Sequence, residues 1–187
     1  MMFRRLAFLA LAALGLSGAS GCAASDEAGA SPLPRLAGRT LLAGCRQGEC
    51  GWMRIVRVES AVRRPEGELR RMTVRKGRSV HPDGRLPDDE SDAAIEWEAN
   101  DGVDYAFCSA QRPAYAFSGG DGGGLTVHFL DLFDLAGYQQ VSGGLYLRLC
   151  HGRERIPDAA ALRRLGYRPG TRSEQVEDGT PETMTAF

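Results

Sequence analysis

The strongest constraint on the fold is a series of short segments in which apolar and polar residues alternate between turn-forming residues. Residues 94–99 and 103–107 alternate in this way, and the turn sequence Asn100-Asp101-Gly102 lies between them. Alternation places every second side chain on one face of a strand, and Asn, Asp and Gly at the connection favour a tight turn. The two segments are therefore predicted to form a β-hairpin.

About seven segments of this kind predict a mainly β domain, a small antiparallel barrel or sandwich, with one short C-terminal helix. Residues 52–58 and 69–74 predict a second hairpin, with its turn at 64–67. Residues 145–149 carry leucine at every second position and predict a further strand. The helix is predicted over 157–165, where a proline opens the segment and a glycine follows it.

The N-terminus has the layout of a secretory signal peptide. Arg4 and Arg5 precede an apolar run over 6–16, and small residues follow that run. The run has about eleven residues, whereas a membrane-spanning helix needs roughly twenty. We therefore expect residues 1–21 to direct export of the chain.

The end of this segment, Ala19-Ser20-Gly21-Cys22, resembles the lipobox of bacterial lipoproteins. In that family the cysteine receives a diacylglycerol thioether, and two or more acyl chains hold a protein stably on a membrane. The resemblance implies that Cys22 is the lipid attachment site and that the membrane is a partner through it. Because no aspartate directly follows Cys22, it further implies an outer-membrane lipoprotein facing the periplasm. The alternative is ordinary cleavage, which gives a soluble periplasmic or secreted protein.

Three regions are predicted beyond the signal peptide. Residues 22–37 are small, polar and proline-containing, which is typical of a flexible tether. Residues 38–170 hold the alternating segments and form the globular domain. Residues 171–187 are polar and lack periodicity, so they are predicted to be a disordered tail.

The cysteine count fits an exported protein. Of five cysteines, four remain besides Cys22, and four cysteines in an oxidising compartment allow three disulfide connectivities. We favour Cys45–Cys50 and Cys108–Cys150, because a pair close in sequence is easily closed. The spacing does not match a four-cysteine zinc site, and no Cys-x-x-Cys-His motif for haem is present. No metal or cofactor is therefore expected.

Charge gives one candidate binding surface. The formal net charge is −1, so the chain has no overall signal for nucleic-acid binding. Arginines concentrate in the hairpin over 52–78, and an acidic stretch follows it. A basic face of this kind could bind an envelope protein or an anionic polymer. Alternatively, the two stretches pair with each other across strands. The candidate binding residues are Arg63, Arg64, Arg70, Arg71 and Arg75.

Catalytic signals are weak by comparison. A nucleophile, a base and an orienting acid must meet in space, and the chain carries no Gly-x-Ser-x-Gly elbow. The candidate bases are His128 and His151. The accompanying serines and acids are Ser109, Ser118, Asp131 and Asp134.

Two further segments have ordinary interpretations. The acidic stretch before residue 104, including Glu96 and Glu98, lacks calcium-loop spacing and is interpreted as a solvated surface. The glycine-rich segment 119–124 has no predicted helix after it and is interpreted as a hairpin loop rather than an anion cradle.

The sequence as a whole predicts a lipid-anchored envelope protein that binds a ligand or partner without catalysis. Segments around Cys45, Cys108 and Cys150 loosely resemble small exported bacterial proteins, and this resemblance implies no activity. The alternative function is an envelope hydrolase that uses His128 or His151. The pattern does not indicate an oligomeric state.

Overall fold

The computed structural model describes residues 35–118 and 124–186. The predicted signal peptide, the lipobox with Cys22, most of the tether and residues 119–123 of the glycine-rich loop lie outside these ranges.

In the described part of the chain, one curled antiparallel sheet forms a half-barrel. Seven strands follow in the order β1-β2-β3-β5-β6-β7-β8, and β4 also pairs with β3. The predicted mainly β antiparallel fold is confirmed. The strands are β1 (Thr40–Arg46), β2 (Glu49–Arg64), β3 (Gly67–Val80), β4 (Glu96–Trp97), β5 (Gly102–Cys108), β6 (Ala114–Ser118), β7 (Leu125–Phe129) and β8 (Glu174–Gly179).

Three α-helices accompany the sheet in the described residues: α1 (Gln140–His151), α2 (Ala159–Arg164) and α3 (Pro181–Thr185). The helix predicted over 157–165 is confirmed as α2. Its N-cap is Asp158, whose carboxylate accepts a hydrogen bond of 2.7 Å from the Ala161 amide. This satisfies one of the amides that a helix start leaves unpaired.

The long hairpin of β2 and β3 is confirmed, with Pro65 and Glu66 between the strands. The predicted pairing of 94–99 with 103–107 is wrong, because β4 and β5 both pair with β3. The absence of a side chain at Gly77 allows β4 to pair with β3 at this position. Trp97 is its partner across the strands, and a Cβ at residue 77 would lie 2.7 Å from the Trp97 ring. The missing side chain makes room for the indole.

The strand predicted over 145–149 is wrong, because these residues belong to α1. Leu145, Tyr146, Leu147 and Leu149 are all buried, so the helix is covered on several sides and shows no single apolar stripe. A fully covered helix and a buried strand are hard to distinguish by periodicity. Gly143 in this helix is a close-packing position, where a Cβ would clash with the Leu135 side chain.

The tail predicted to be disordered is folded over 174–185. β8 pairs with β7, and α3 begins with a capping box between Thr180 and Thr183. Met184 of α3 is fully buried among apolar residues of the sheet, a burial that contributes about 1.5–3 kcal/mol. Tertiary pairing therefore orders a segment that has little apolar pattern of its own. The predicted tether also ends early, because Leu36 packs in the core.

The two faces of the sheet carry different cores. The concave face packs on α1 and includes Met72, Val74 and Tyr115. The convex face packs on α3 and includes Phe107 and Phe129. Each apolar face of the sheet is thus covered by a separate helix.

Disulfides join Cys45 to Cys50 and Cys108 to Cys150, the pairing that the sequence favoured. The first closes the β1–β2 hairpin. The second ties the end of β5 to α1, and Cys150 is 2% exposed. This bridge lies in the core because Cys150 is on the buried helix α1.

Candidate functional site

The concave face has a filled end and an open end. At the filled end, α1 packs directly over Glu68 and Arg70, and Tyr146, Leu149 and Cys150 occupy the space. At the open end, a cavity of about 700 Å³ lies between the sheet and the first turns of α1. This cavity is the candidate functional site.

Aromatic rings contribute to the walls of the cavity. Phe117 and Tyr138 line it, and each packs edge-on against His128, with ring centres 5.2 and 5.5 Å apart. Trp52 and Trp97 are both cross-strand partners of Gly77, so their indoles lie on the face of the sheet opposite Lys76. The walls therefore offer apolar and π surface in fixed positions.

Neighbouring strands bring polar groups to the floor of the cavity. Asp104 lies opposite Met72 across β3 and β5, and Tyr115 lies opposite His128 across β6 and β7. Because side chains alternate along each strand, Lys76 is on the same face as Met72. An acid, a lysine, a tyrosine and a histidine thus meet on one face of the sheet.

Asp104 is fully buried at this floor. Its Oδ2 accepts a hydrogen bond of 2.7 Å from the Tyr115 hydroxyl. Its Oδ1 lies 3.8 Å from Lys76 Nζ and has no hydrogen-bond partner among the described residues. Lys76 instead donates to the Ser118 carbonyl oxygen at 2.8 Å. One carboxylate oxygen is therefore left for another donor.

Burial raises the pKa of Asp104 above its usual range. The charge of Lys76 and the hydrogen bond from Tyr115 act in the opposite direction and only partly offset it. A buried carboxylate with one unsatisfied oxygen is costly, and a cation or a donor placed beside it would remove that cost.

A serine–histidine pair lines the same cavity. Ser142 Oγ, in the first turn of α1, lies 2.8 Å from His128 Nδ1. His128 Nε2 lies 2.9 Å from Gln175 Oε1. The Gln175 amide nitrogen donates to Glu177, which leaves the amide oxygen to face the histidine. His128 therefore carries its proton on Nε2, and its Nδ1 accepts the proton of Ser142.

Burial lowers the pKa of His128, and the hydrogen bond to Gln175 and the charge of Glu177 offset this only in part. The imidazole is therefore neutral at neutral pH. A neutral imidazole can accept a proton, and the pair has the first requirement of an activated serine.

His151, the other candidate base, lies at the filled end. Its Nε2 is 2.5 Å from the Tyr167 hydroxyl, which in turn is 2.8 Å from the Tyr146 hydroxyl. Burial, with smaller contributions from the charges of Arg70 and Arg153, lowers the pKa of His151 to about 4. His151 does not line the cavity. Its surroundings are those of a core hydrogen-bond network.

The serines and acids proposed from the sequence serve other contacts. Ser109 accepts hydrogen bonds from two amides of the following turn, and Ser118 is 3.4 Å from Lys76. Asp131 accepts hydrogen bonds from the amides of Phe133 and Gly170. In residues 35–118 and 124–186, neither histidine is brought together with these serines or with Asp134 by a hydrogen bond. Ser142 was missed because the helix that carries it was not predicted from the sequence.

The arginines proposed as a binding surface have mostly internal partners. Arg63 and Arg70 pair with Glu68 at 3.2 and 2.8 Å, Arg71 pairs with Glu59 at 2.8 Å, and Arg75 pairs with Asp101 at 2.8 Å. Arg64 is exposed at the end of β2.

Arg70 is 1% exposed, so the structure contradicts its proposed place on a binding surface. Every second residue of β3 faces the core, and Glu68 two residues earlier supplies the partner there. The internal-pairing alternative fits these contacts.

The acidic residues Glu96 and Glu98 lie at the rim of the cavity with Glu49 and Arg78. Arg78 pairs with Glu96 at 3.0 Å. Within the described ranges, no group of three or more His, Cys, Asp or Glu side chains could hold a metal ion. The helices described in the structure include none with the length and apolar character to cross a membrane.

Comparison with known protein families, with curated proteins and with solved structures gives no match to this chain.

Proposed function

We propose that this protein is a lipid-anchored component of the bacterial cell envelope that binds a small, partly apolar ligand in its half-barrel cavity without catalysis. The lipobox-like sequence ending at Cys22 supports the anchor, and the two disulfides favour an oxidising compartment. An outer-membrane position facing the periplasm is part of the proposal. Replacing Cys22 by serine should abolish fatty-acid labelling and release the protein from the membrane fraction.

The observation that carries the binding function is the cavity itself. Its volume of about 700 Å³ falls within the range of small-molecule sites, roughly 300–1,000 Å³. Such sites combine mostly apolar walls with a few polar groups that fix orientation. Here the aromatic walls supply the first part, and Asp104, Lys76 and the His128–Ser142 pair supply the second.

A neutral apolar dye tests this proposal. Nile red fluoresces more strongly in an apolar site, and the exported protein carrying Cys22→Ser avoids a signal from attached lipid. Val141 lines the cavity and is 42% exposed. We expect Val141→Trp to lower Nile red affinity at least about tenfold, because the indole occupies the space that a ligand needs.

Val62→Trp is the matched control. Val62 has a similar exposure of 41% and does not line the cavity. This variant should keep its Nile red affinity within about twofold of the parent protein. Equal affinity in the two variants would show that the cavity is not the binding site.

The distance of 2.8 Å between Ser142 and His128 favours one second candidate, an acyl hydrolase. Ser142 Oγ would attack the carbonyl carbon of an ester, and its proton would pass through His128 Nδ1 to the departing alcohol. Water would then release the acid and restore the serine. A fluorophosphonate probe should label the parent protein and not Ser142→Ala if this candidate is correct. If the folded parent protein is not labelled, the hydrolase candidate is wrong and the binding function remains.

A further inference from the structure

Carboxylates outnumber cationic side chains around the cavity. Glu49, Glu96, Glu98 and Asp104 line it, against Lys76 and Arg78, a ratio of four to two. Both cations are already engaged, because Arg78 pairs with Glu96 at 3.0 Å and Lys76 donates to the Ser118 carbonyl oxygen at 2.8 Å. The space between the walls is therefore negative overall.

The floor of the cavity adds an independent observation. Asp104 is fully buried, lines the cavity and leaves Oδ1 without a hydrogen bond among the described residues. The one cation nearby, Lys76, is 3.8 Å from Oδ1, which is longer than a hydrogen bond. A carboxylate in this position prefers a positively charged or donating group beside it.

The aromatic walls favour the same kind of ligand. Phe117 and Tyr138 line the cavity from different elements of the fold. The π faces of such rings attract cations within about 6 Å, most strongly when water is excluded. Phe117 already attracts a cation in this way, since Lys76 Nζ lies 5.9 Å from its ring centre.

We infer that the ligand is an organic cation, an alkylammonium group attached to an apolar body. Its charged head lies beside Asp104 Oδ1, and its apolar part contacts the aromatic walls. This inference rests on the proposed binding function and adds the chemical class of the ligand. An anionic ligand held by Lys76 is the opposite outcome of the same test.

The test compares three probes of similar size that differ in charge. Hexyltrimethylammonium, 1-hexanol and hexyl sulfate compete with Nile red for the exported Cys22→Ser protein. We expect hexyltrimethylammonium to compete about tenfold better than 1-hexanol, and hexyl sulfate to compete worst.

Asp104→Asn keeps the size of the side chain and removes its charge. We expect it to reduce the preference for the ammonium probe over 1-hexanol to about twofold or less. Glu98→Gln, an exposed change at the rim, should reduce the preference only about twofold and covers the case in which Asp104→Asn does not fold. Glu66→Gln, at the far turn of the β2–β3 hairpin, is the matched control and should leave the preference unchanged.

The outcomes separate the two levels of the proposal. If Nile red binds in the cavity but 1-hexanol or hexyl sulfate competes as well as the ammonium probe, the ligand class is wrong and the binding function stands. An unchanged preference in both Asp104→Asn and Glu98→Gln would also overturn the ligand class. If Val141→Trp leaves Nile red binding intact, the cavity is not the site, and both proposals fail together.

Discussion

The two ends of the concave face each contain a buried acid beside a basic side chain, and the pairs are built differently. At the filled end, Glu68 and Arg70 are 2.8 Å apart, and both are almost fully buried. At the open end, Asp104 and Lys76 are 3.8 Å apart, and one carboxylate oxygen has no hydrogen bond. Only the first pair has the close, multiply bonded geometry that a buried ion pair needs to offset desolvation.

The pKa values of the two acids move in opposite directions for this reason. Burial alone would raise the pKa of Glu68, but hydrogen bonds from Ser60, Arg70 and Arg63 hold it below its usual range. Burial raises the pKa of Asp104, and its fewer partners do not reverse the shift. The comparison distinguishes a fully bonded pair that holds the fold together from a pair that leaves one carboxylate oxygen without a hydrogen bond.

The disulfides at the two ends give the largest expected difference in stability. Cys108–Cys150 spans 42 residues at the filled end, and Cys45–Cys50 spans 5 residues beside the open end. Loop-closure entropy predicts a loss of about 4 kcal/mol for Cys108→Ser with Cys150→Ser, and about 2 kcal/mol for Cys45→Ser with Cys50→Ser. Urea unfolding of the two double variants measures both values. Equal losses would show that loop length does not determine the contribution of either bridge.

The next largest effect is a difference in stability between variants that lack the basic partner of each pair. Arg70→Met leaves Glu68 buried with only Arg63 as a charged partner, and we expect a loss of about 3 kcal/mol. Lys76→Met should cost about 1 kcal/mol, because Asp104 already has a raised pKa and can take up a proton. Urea midpoints at neutral pH provide the measurement. If Lys76→Met loses more stability than Arg70→Met, then Asp104–Lys76, and not Glu68–Arg70, is the pair that holds the fold together.

The smallest expected effect is a pH dependence that originates mainly at the filled end. The pKa of His151 is about 4 in the folded protein, against 6.5 for an unperturbed histidine. Between these values the unfolded chain binds more protons, so the contribution is complete above pH 6.5 and is lost as the pH falls toward 4. Because His151 is partly exposed, we expect a loss of only about 1 to 2 kcal/mol.

Urea unfolding between pH 4 and 7 measures this slope in the parent protein and in His151→Asn. The variant should show a flatter dependence. His128→Asn is the matched change at the open end and should remove less of the slope, because the hydrogen bond to Gln175 and the charge of Glu177 partly offset the lowering of the His128 pKa. A parent-like slope in His151→Asn would mean that other groups produce the acid sensitivity.

Much of the fold could be predicted from local sequence. Alternation and turn residues identified the long β2–β3 hairpin and the helix α2, since each depends on short-range signals. The course of α1 and β8 could not be predicted in this way. Leucines at 145, 147 and 149 fit a buried strand as well as a covered helix, and β8 is ordered by pairing with β7 rather than by its own pattern.

The candidate site was less predictable because its parts are distant in sequence. Asp104 was not identified as a site residue, because Tyr115 and Lys76 reach it from other strands. His128 was identified as a candidate, but its partner Ser142 lies on a helix that the pattern did not predict. A local signal did exist for Arg70, because Glu68 two residues earlier on a strand must share its face.

Helix α1 is fixed near both of its ends, by the Cys108–Cys150 disulfide and by the close packing of Gly143 against Leu135. One wall of the cavity is therefore preorganised. A ligand would not have to order this wall as it enters, so little conformational entropy is lost on binding. Association should then follow simple one-step kinetics, with a rate proportional to ligand concentration and no slow rearrangement of the backbone.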